Sequence, residues 1–348
     1  MKIRAIGAGF CALALVLSGC GSSKDSTTSD SKAKSTTTQS HSDEGDSVDL
    51  GVSHEIGSYA VGRIDQSFVD DSRVTPAHGG QPEVESRTLN TMILYPAAGT
   101  APADPSEVTQ DAAPLKGSGS PLIVFGHGST RAGVDYIKTL AAWASAGYVV
   151  AAPNFPLSQT DTPGGTNYGD LNEQPSDVSF LIDSIDALAT DKDSPLNGLV
   201  DIGHIGIGGQ SFGAITAVAT GFNACCADDR IDAVTVFAGI WMDLGSGNET
   251  ARSGDDLPAL FVHGDDDEVL PYEGGRAAAD LLKGPTTFAT IVGGSHDDGY
   301  FGGLDDPTDE VVTRLTTAFY NSTLRGAADL DATLAKIVAD SGVDIKLD

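Results

Sequence analysis

The sequence is short of positive charge. Its 348 residues hold 20 lysines and arginines against 49 aspartates and glutamates, a formal net charge of −29. Nothing supplies the basic footprint that phosphates require, which argues against nucleic acid as a partner. The acidity is spread over many loops and reads as a solubility device. Cysteine is scarce, with four in the chain. Cys11 and Cys20 lie near the N-terminus. Cys225 and Cys226 are adjacent and have no distant mate, so a disulfide framework is ruled out. Two cysteines alone do not make a zinc site. The pair is read as two small buried thiols, with a vicinal disulfide as the alternative. The N-terminal apolar run is too short to span a membrane. The aspartates lack EF-hand spacing, and no internal repeat recurs.

What is present begins with a targeting segment. Lys2 and Arg4 precede an apolar run from Ala5 to Leu17, and small residues follow, so residues 1–19 read as an export signal. Residues 20–48 are Ser, Thr, Asp, Lys and Gly with almost nothing apolar. Such a segment cannot offset its ordering entropy and reads as a tether. The end of the signal, Leu17-Ser18-Gly19-Cys20, resembles the bacterial lipobox. That resemblance implies cleavage before Cys20, a lipid on its sulfur, and a protein anchored to the outer face of a bacterial membrane or cell envelope. A plain secretory signal is the alternative.

Residues 49–348 are long enough for one large domain with a substantial core. They alternate strand-like and helix-like patterns. Strands are expected at 89–96, 121–128, 148–153, 204–209, 233–239, 258–264 and 286–294. Between them Ile137, Leu140, Ala141 and Ala144 share one helix face before Gly147. Ser176 is placed as the cap of a helix carrying Val178, Leu181, Ile182, Ile185 and Leu188. Further helices follow the serine-bearing turn near 212 and lie between the last two strands. Val311, Val312, Leu315, Ala318 and Phe319 mark a late helix. This alternation predicts an α/β fold with a mostly parallel sheet covered on both faces. Ligands of such sheets sit beyond the carboxyl ends of the strands. Four chemically loaded turns fall there: Gly-His-Gly-Ser (126–129), Gly-Gly-Gln-Ser (208–211), His-Gly-Asp-Asp-Asp (263–267) and Gly-Gly-Ser-His (293–296).

Gly209-Gln210-Ser211-Phe212-Gly213 reads G-x-S-x-G where a strand turns into a helix, the context of a nucleophile elbow. Ser211 is the expected nucleophile. The Phe212 N–H, at the helix N-terminus, can point at a developing oxyanion. Six histidines are set aside as the base. His41 lies in the tether, His54 and His78 precede the main sheet, and His204 starts a strand at the wrong end. His127 and His263 each precede a glycine in a strand-exit turn and are read as shaping it. His296, in a small-residue loop after the acid-bearing turn, is the expected base. Asp265, Asp266, Asp267 and Glu268 all follow one strand. H-G-D-D-D-E-V-L-P resembles the hydrolase pattern H-G-x-x-D-x-x-x-P, which points to Asp267 as the acid, with Asp265 or Asp266 as alternatives.

The order serine, acid, histidine matches the α/β-hydrolase order. "PLIVFGHGSTRAGVDYIKTLAAWASAGYVVAAPNF", "VGRIDQSFVDDSR", "RTLNTMILYPA" and "QPSDVSFLIDSIDAL" extend the likeness. Over most of residues 58–325 the chain resembles the platelet-activating-factor acetylhydrolase and dienelactone hydrolase branch of α/β-hydrolases. The resemblance implies a serine esterase acting through an acyl-enzyme, with no metal or cofactor. It implies the Ser129 N–H as the second oxyanion donor. Dienelactone hydrolases use a cysteine nucleophile, so their lactone activity is not implied. Gln210 stands where many lipases and cutinases carry histidine, which leaves the acyl preference open. Residues 240–257 are too few for a helical cap domain, so loops, chiefly 154–175, are expected to cover the site. Phe155, Tyr168 and Trp241 are candidates to line an apolar cleft, or to pack their own loops. Short acyl or acetyl esters are the expected substrates. The rivals are a lipase or polyester hydrolase and a non-catalytic surface binding lipoprotein.

Overall fold

The computed structural model describes residues 54–250 and 256–348. The export signal 1–19, Cys20 and the tether 20–48 lie outside the described residues. A ten-stranded sheet organises the rest, in the order β10-β9-β8-β7-β6-β4-β5-β2-β1-β3. Its strands are β1 (Ala60–Asp70), β2 (Arg87–Ala97), β3 (Thr109–Gln110), β4 (Ser120–Gly126), β5 (Val149–Asn154), β6 (Val200–Gln210), β7 (Ile231–Phe237), β8 (Ala259–Gly264), β9 (Thr286–Ile291) and β10 (Ile345–Leu347). From β5 through β9 every neighbour pair is parallel. β2 joins β5 antiparallel, β1 joins β2 antiparallel, and β10 closes the other edge antiparallel to β9.

The helices are α1 (Ile137–Ser145), α2 (Gln174–Thr190), α3 (Phe212–Phe222), α4 (Tyr272–Leu281), α5 (Pro307–Arg325) and α6 (Leu330–Ser341). Strand periodicity decides which face each residue serves. Leu122 and Val124 of β4 and Phe261 of β8 join the cluster with Val178 and Ile182 of α2 and Val218 and Phe222 of α3. Their alternates, Ile123, Phe125, Leu260 and Val262, join Leu140 and Trp143 of α1 and Val312, Leu315 and Phe319 of α5. The central strands are therefore apolar throughout, because both faces are covered.

The structure departs from the sequence reading at identifiable places. β1, β3, β10 and α6 were not anticipated; β1 lacks a clean alternation, with Asp65, Gln66 and Ser67 exposed in succession and Val69 exposed beside a buried Asp70, and β3 and β10 are very short. The helix assigned to a Ser176 cap starts at Gln174, with Glu173 at its cap. Pro175 suits the first turn, where its missing N–H is not needed and its fixed φ fits the helix. Cys225 and Cys226 are not buried thiols. They form a disulfide, with Cys225 exposed and Cys226 half-buried.

Candidate active site

Ser211 occupies the single residue between β6 and α3, with φ 55° and ψ −113°. A non-glycine residue at positive φ is strained, and the strain persists because the surroundings over-determine it. The packing here does so. A Cβ on Gly213 would come within 2.0 Å of the Gly126 carbonyl oxygen, and one on Gly209 within 2.3 Å of the Gly213 carbonyl carbon. Only bare backbone lets α3 press this closely on β4 and β6. The Ser211 N–H donates to Phe237 O at 2.9 Å, tying the turn to β7. The hydroxyl stands clear of the sheet edge.

The His296 loop, after β9, brings Nε2 to 2.9 Å from Ser211 Oγ. Its Nδ1 lies 2.8 Å from Asp267 Oδ2. A carboxylate can only accept, so Nδ1 carries the proton and Nε2 is left to accept from the serine hydroxyl. Asp267 Oδ1 accepts from the backbone N–H groups of Val269 at 2.8 Å and Leu270 at 2.9 Å. Burial pushes the Asp267 carboxyl up, but the His296 bond and these two amides outweigh it and hold its pKa below the ordinary value. Asp265 and Asp266 are exposed. Asp265 Oδ1 accepts from Gly293 N, so it braces the neighbouring loop instead of reaching the histidine. Among the three aspartates the geometry selects Asp267.

Phe212 N sits at the start of α3 and Ser129 follows β4; both residues line the cleft over Ser211. Their amides have no acceptor among the described residues, which leaves both N–H groups for a bound oxygen. The cleft has a volume of about 430 Å³. Tyr168, Phe212, Ile215, Met242, Val269 and Leu270 make its apolar side, and Ser129, Thr130, Arg131 and Asp297 its polar side. A larger depression of about 840 Å³ lies between α5 and α6, lined by the surface pairs Glu310–Arg314 and Lys336–Asp340. It holds no histidine and stands apart from the serine.

Of the three aromatics expected at the cleft, only Tyr168 lines it, edge-on to Phe212 with centroids 5.7 Å apart. Phe155 is fully buried, packed on His127. Trp241 turns away and donates its Nε1–H to Gly247 O at 3.0 Å, and the neighbouring Met242 fills the wall instead. His127 shapes its turn as expected, accepting from Phe155 N at 3.0 Å and bonding Gly128 O at 2.8 Å. His263 Nε2 lies 2.9 Å from Leu270 O and also 3.1 Å from Asp267 Oδ2, a contact that sequence reasoning missed. A second missed feature is a buried bridge. Gly128 N–H donates to Tyr136 Oη, Tyr136 donates to Gln210 Oε1 at 2.9 Å, and Gln210 Nε2 donates to His296 O at 3.2 Å. It joins the loop of Ser129 to the loop of His296.

The solved structure of a ferulic acid esterase from Streptomyces cinnamoneus superposes on the chain with a TM-score of 0.56. The match covers 78% of this chain and 92% of that one, at 21% identity. The fold is the α/β-hydrolase fold, with its mostly parallel sheet and helices on both faces. No family model matches the sequence, and no curated protein matches it.

Proposed function

We propose that the chain is a serine-dependent carboxylic ester hydrolase. The observation that carries this is the continuous path from Ser211 Oγ through the His296 ring to Asp267, at 2.9 Å and 2.8 Å. Ser211 attacks the ester carbonyl while His296 Nε2 takes its proton. The tetrahedral oxyanion is held by the Ser129 and Phe212 amides. His296 then gives the proton to the departing alcohol, and Asp267 steadies the imidazolium throughout. Water reverses the sequence and frees the acid. The likeness to acetylhydrolases, and the esterase named for the structural neighbour, support this chemistry.

The substrate reading follows from the cleft. Residues 240–257 are too few to form a cap over it, so we read it as covering only the first few acyl carbons. Each buried methylene adds about 0.8 kcal/mol, and those beyond the cleft remain in water. Short acyl esters with bulky alcohol groups fit it. A second reading, hydrolysis of a lipid or polyester at its surface, is supported by Tyr168 and Val269, which stand at the cleft 68% and 59% exposed. In either case the chain is proposed as exported and lipid-anchored through Cys20, which a Cys20→Ala variant recovered without lipid and released from membranes would support. The deciding assay is an ester panel graded in acyl length, with a feruloyl ester included. kcat/KM peaking at roughly two to six carbons supports the first reading. A rise continuing to twelve carbons favours the second. No turnover of any ester would leave a binding lipoprotein.

A further inference from the structure

His263 is the last residue but one of β8 and is fully buried. Its Nε2 faces two groups that only accept, Leu270 O at 2.9 Å and Asp267 Oδ2 at 3.1 Å. Nε2 therefore carries the ring proton. Its Nδ1 is buried and has no partner among the described residues. That nitrogen presses on α4, where even a Cβ on Gly275 would come within 2.4 Å of it. Tyr272 of α4 stands edge-on to the ring, with centroids 6.0 Å apart. The ring has no room to turn and no acceptor for a second proton. Burial accordingly pushes the His263 pKa below the ordinary histidine value, against the opposing pull of Leu270 O and Asp267.

Asp267 Oδ2 thus takes two ring N–H groups, one from His263 and one from His296. The two histidines differ in what they can do. His296 has both nitrogens engaged in a path that ends at a hydroxyl, while His263 ends in a sealed wall. We infer that His263 is a positioning residue: a buried Nε2–H donor that locks Asp267 Oδ2 beneath His296 and drains charge from it. The inference rests on the reading of Ser211, His296 and Asp267 as the catalytic set. Other titratable groups around this cluster are Tyr272 on α4, Tyr300 after β9, the exposed Asp265, Asp266 and Glu268 on the acid loop, and Asp297 and Asp298 beside His296. Asp297 is paired with Arg131, and Asp298 accepts from Ser295. None of these replaces the donor that His263 supplies.

The test compares His263→Leu, which fills the space without a donor, with His263→Gln, whose Nε2–H reaches about as far as the imidazole. Each is assayed across pH on a short p-nitrophenyl ester, with active sites counted by a fluorophosphonate. His263→Leu is expected to lower kcat roughly 10- to 100-fold, the fold-change for losing a hydrogen bond to a charged group, with KM little changed. The acid limb of kcat/KM should move to higher pH, because an Asp267 with one donor fewer holds the imidazolium more tightly. His263→Gln should restore most of kcat and return the limb. A parental kcat and limb in His263→Leu overturns the inference, as does a loss that glutamine does not reverse with the limb unmoved. Should the variants fold poorly, ¹⁵N spectra of the unaltered protein decide. The His263 ring should be the neutral Nε2–H tautomer at neutral pH and take up a second proton only below the ordinary histidine value of about 6.5; an Nδ1–H ring, or one charged above that value, contradicts the inference. Ser211→Ala, run alongside, separates the two failures. If it retains turnover, the catalytic reading fails too; if it is inert, only the role of His263 is at stake.

Discussion

Two buried carboxylate networks stand at different points of this fold, and their partners set them apart. Around Asp267 every donor is an N–H of backbone or imidazole, and one imidazole leads on to a hydroxyl. The other network lies beneath the 154–175 loop. There Arg87, fully buried, holds both oxygens of Asp177, with Nε at 2.6 Å and Nη2 at 2.7 Å, and reaches Asp170 with Nη2 at 2.7 Å, and Arg73 adds a third bond to Asp177 at 2.7 Å. Burial raises the Asp177 carboxyl against the pull of the arginines, while at Asp267 the hydrogen bonds win. The arginine pairs carry fixed charges with no proton to pass on. They serve placement: Asp170 Oδ2 also accepts from Leu157 N, which holds the loop that presents Tyr168. Burial of an acid therefore does not mark a catalytic site; a partner with a transferable proton does.

Breaking the first network should have the largest effect. Asp267→Asn should lower kcat by roughly 10⁴-fold, because the amide favours the wrong imidazole tautomer. Asp265→Asn and Asp266→Asn should remain near the parent. A crippled Asp265 or Asp266 variant would move the acid to that residue. Breaking the second network should damage stability instead. Arg87→Met leaves Asp170 without its cation and Asp177 with only Arg73, at a cost of roughly 3–5 kcal/mol. Denaturant unfolding should read this loss, while the folded fraction keeps kcat and shows a raised KM. A variant with parental stability and lost kcat would erase the distinction between the networks.

Tyr168→Ala should cost less, about tenfold in kcat/KM, since one aromatic edge contact and its covered area are removed. Trp241→Ala should leave kcat/KM near the parent, as its indole faces Gly247. On stability, a smaller effect than that of Arg87 concerns Asp309, a third buried carboxylate, which among the described residues accepts from backbone donors such as Gly302 N. Burial outweighs them and raises its pKa to about 6. A raised folded pKa means the proton is bound more tightly in the folded state. Its stabilisation is complete below the ordinary aspartate value and lost as pH rises through about 6. Asp309→Asn should therefore melt roughly 2–4 °C higher than the parent at about pH 8, with the gain vanishing near pH 4.

The convergence of Ser211, His296 and Asp267 was more legible in the sequence than the walls of the cleft around them. The turn at Ser211 was legible because its signature is local: five residues, a strand before and a helix after. Asp267 and His296 were legible because the fold delivers strand ends to one edge in chain order. Phe155, Trp241 and Met242 were not, because loops lack the periodicity that assigns a side chain to a face. The Arg87 network was invisible for another reason. Its arginines lie 83 to 104 residues from the aspartates they bond, and no local pattern joins them. His263 shows a limit of motif reading: the H-G-x-x-D spacing pointed to the aspartate that meets His296, while the contact between its own ends needed the curl of the turn.

The most direct measurement is covalent capture of the nucleophile. The protein is treated with a fluorophosphonate, and the modified peptide is located by mass spectrometry. The account predicts one phosphonyl group per chain on Ser211 Oγ, loss of ester turnover in step with labelling, and no adduct on Ser211→Ala. Turnover that survives complete labelling, or an adduct on another residue with Ser211→Ala still active, would contradict it.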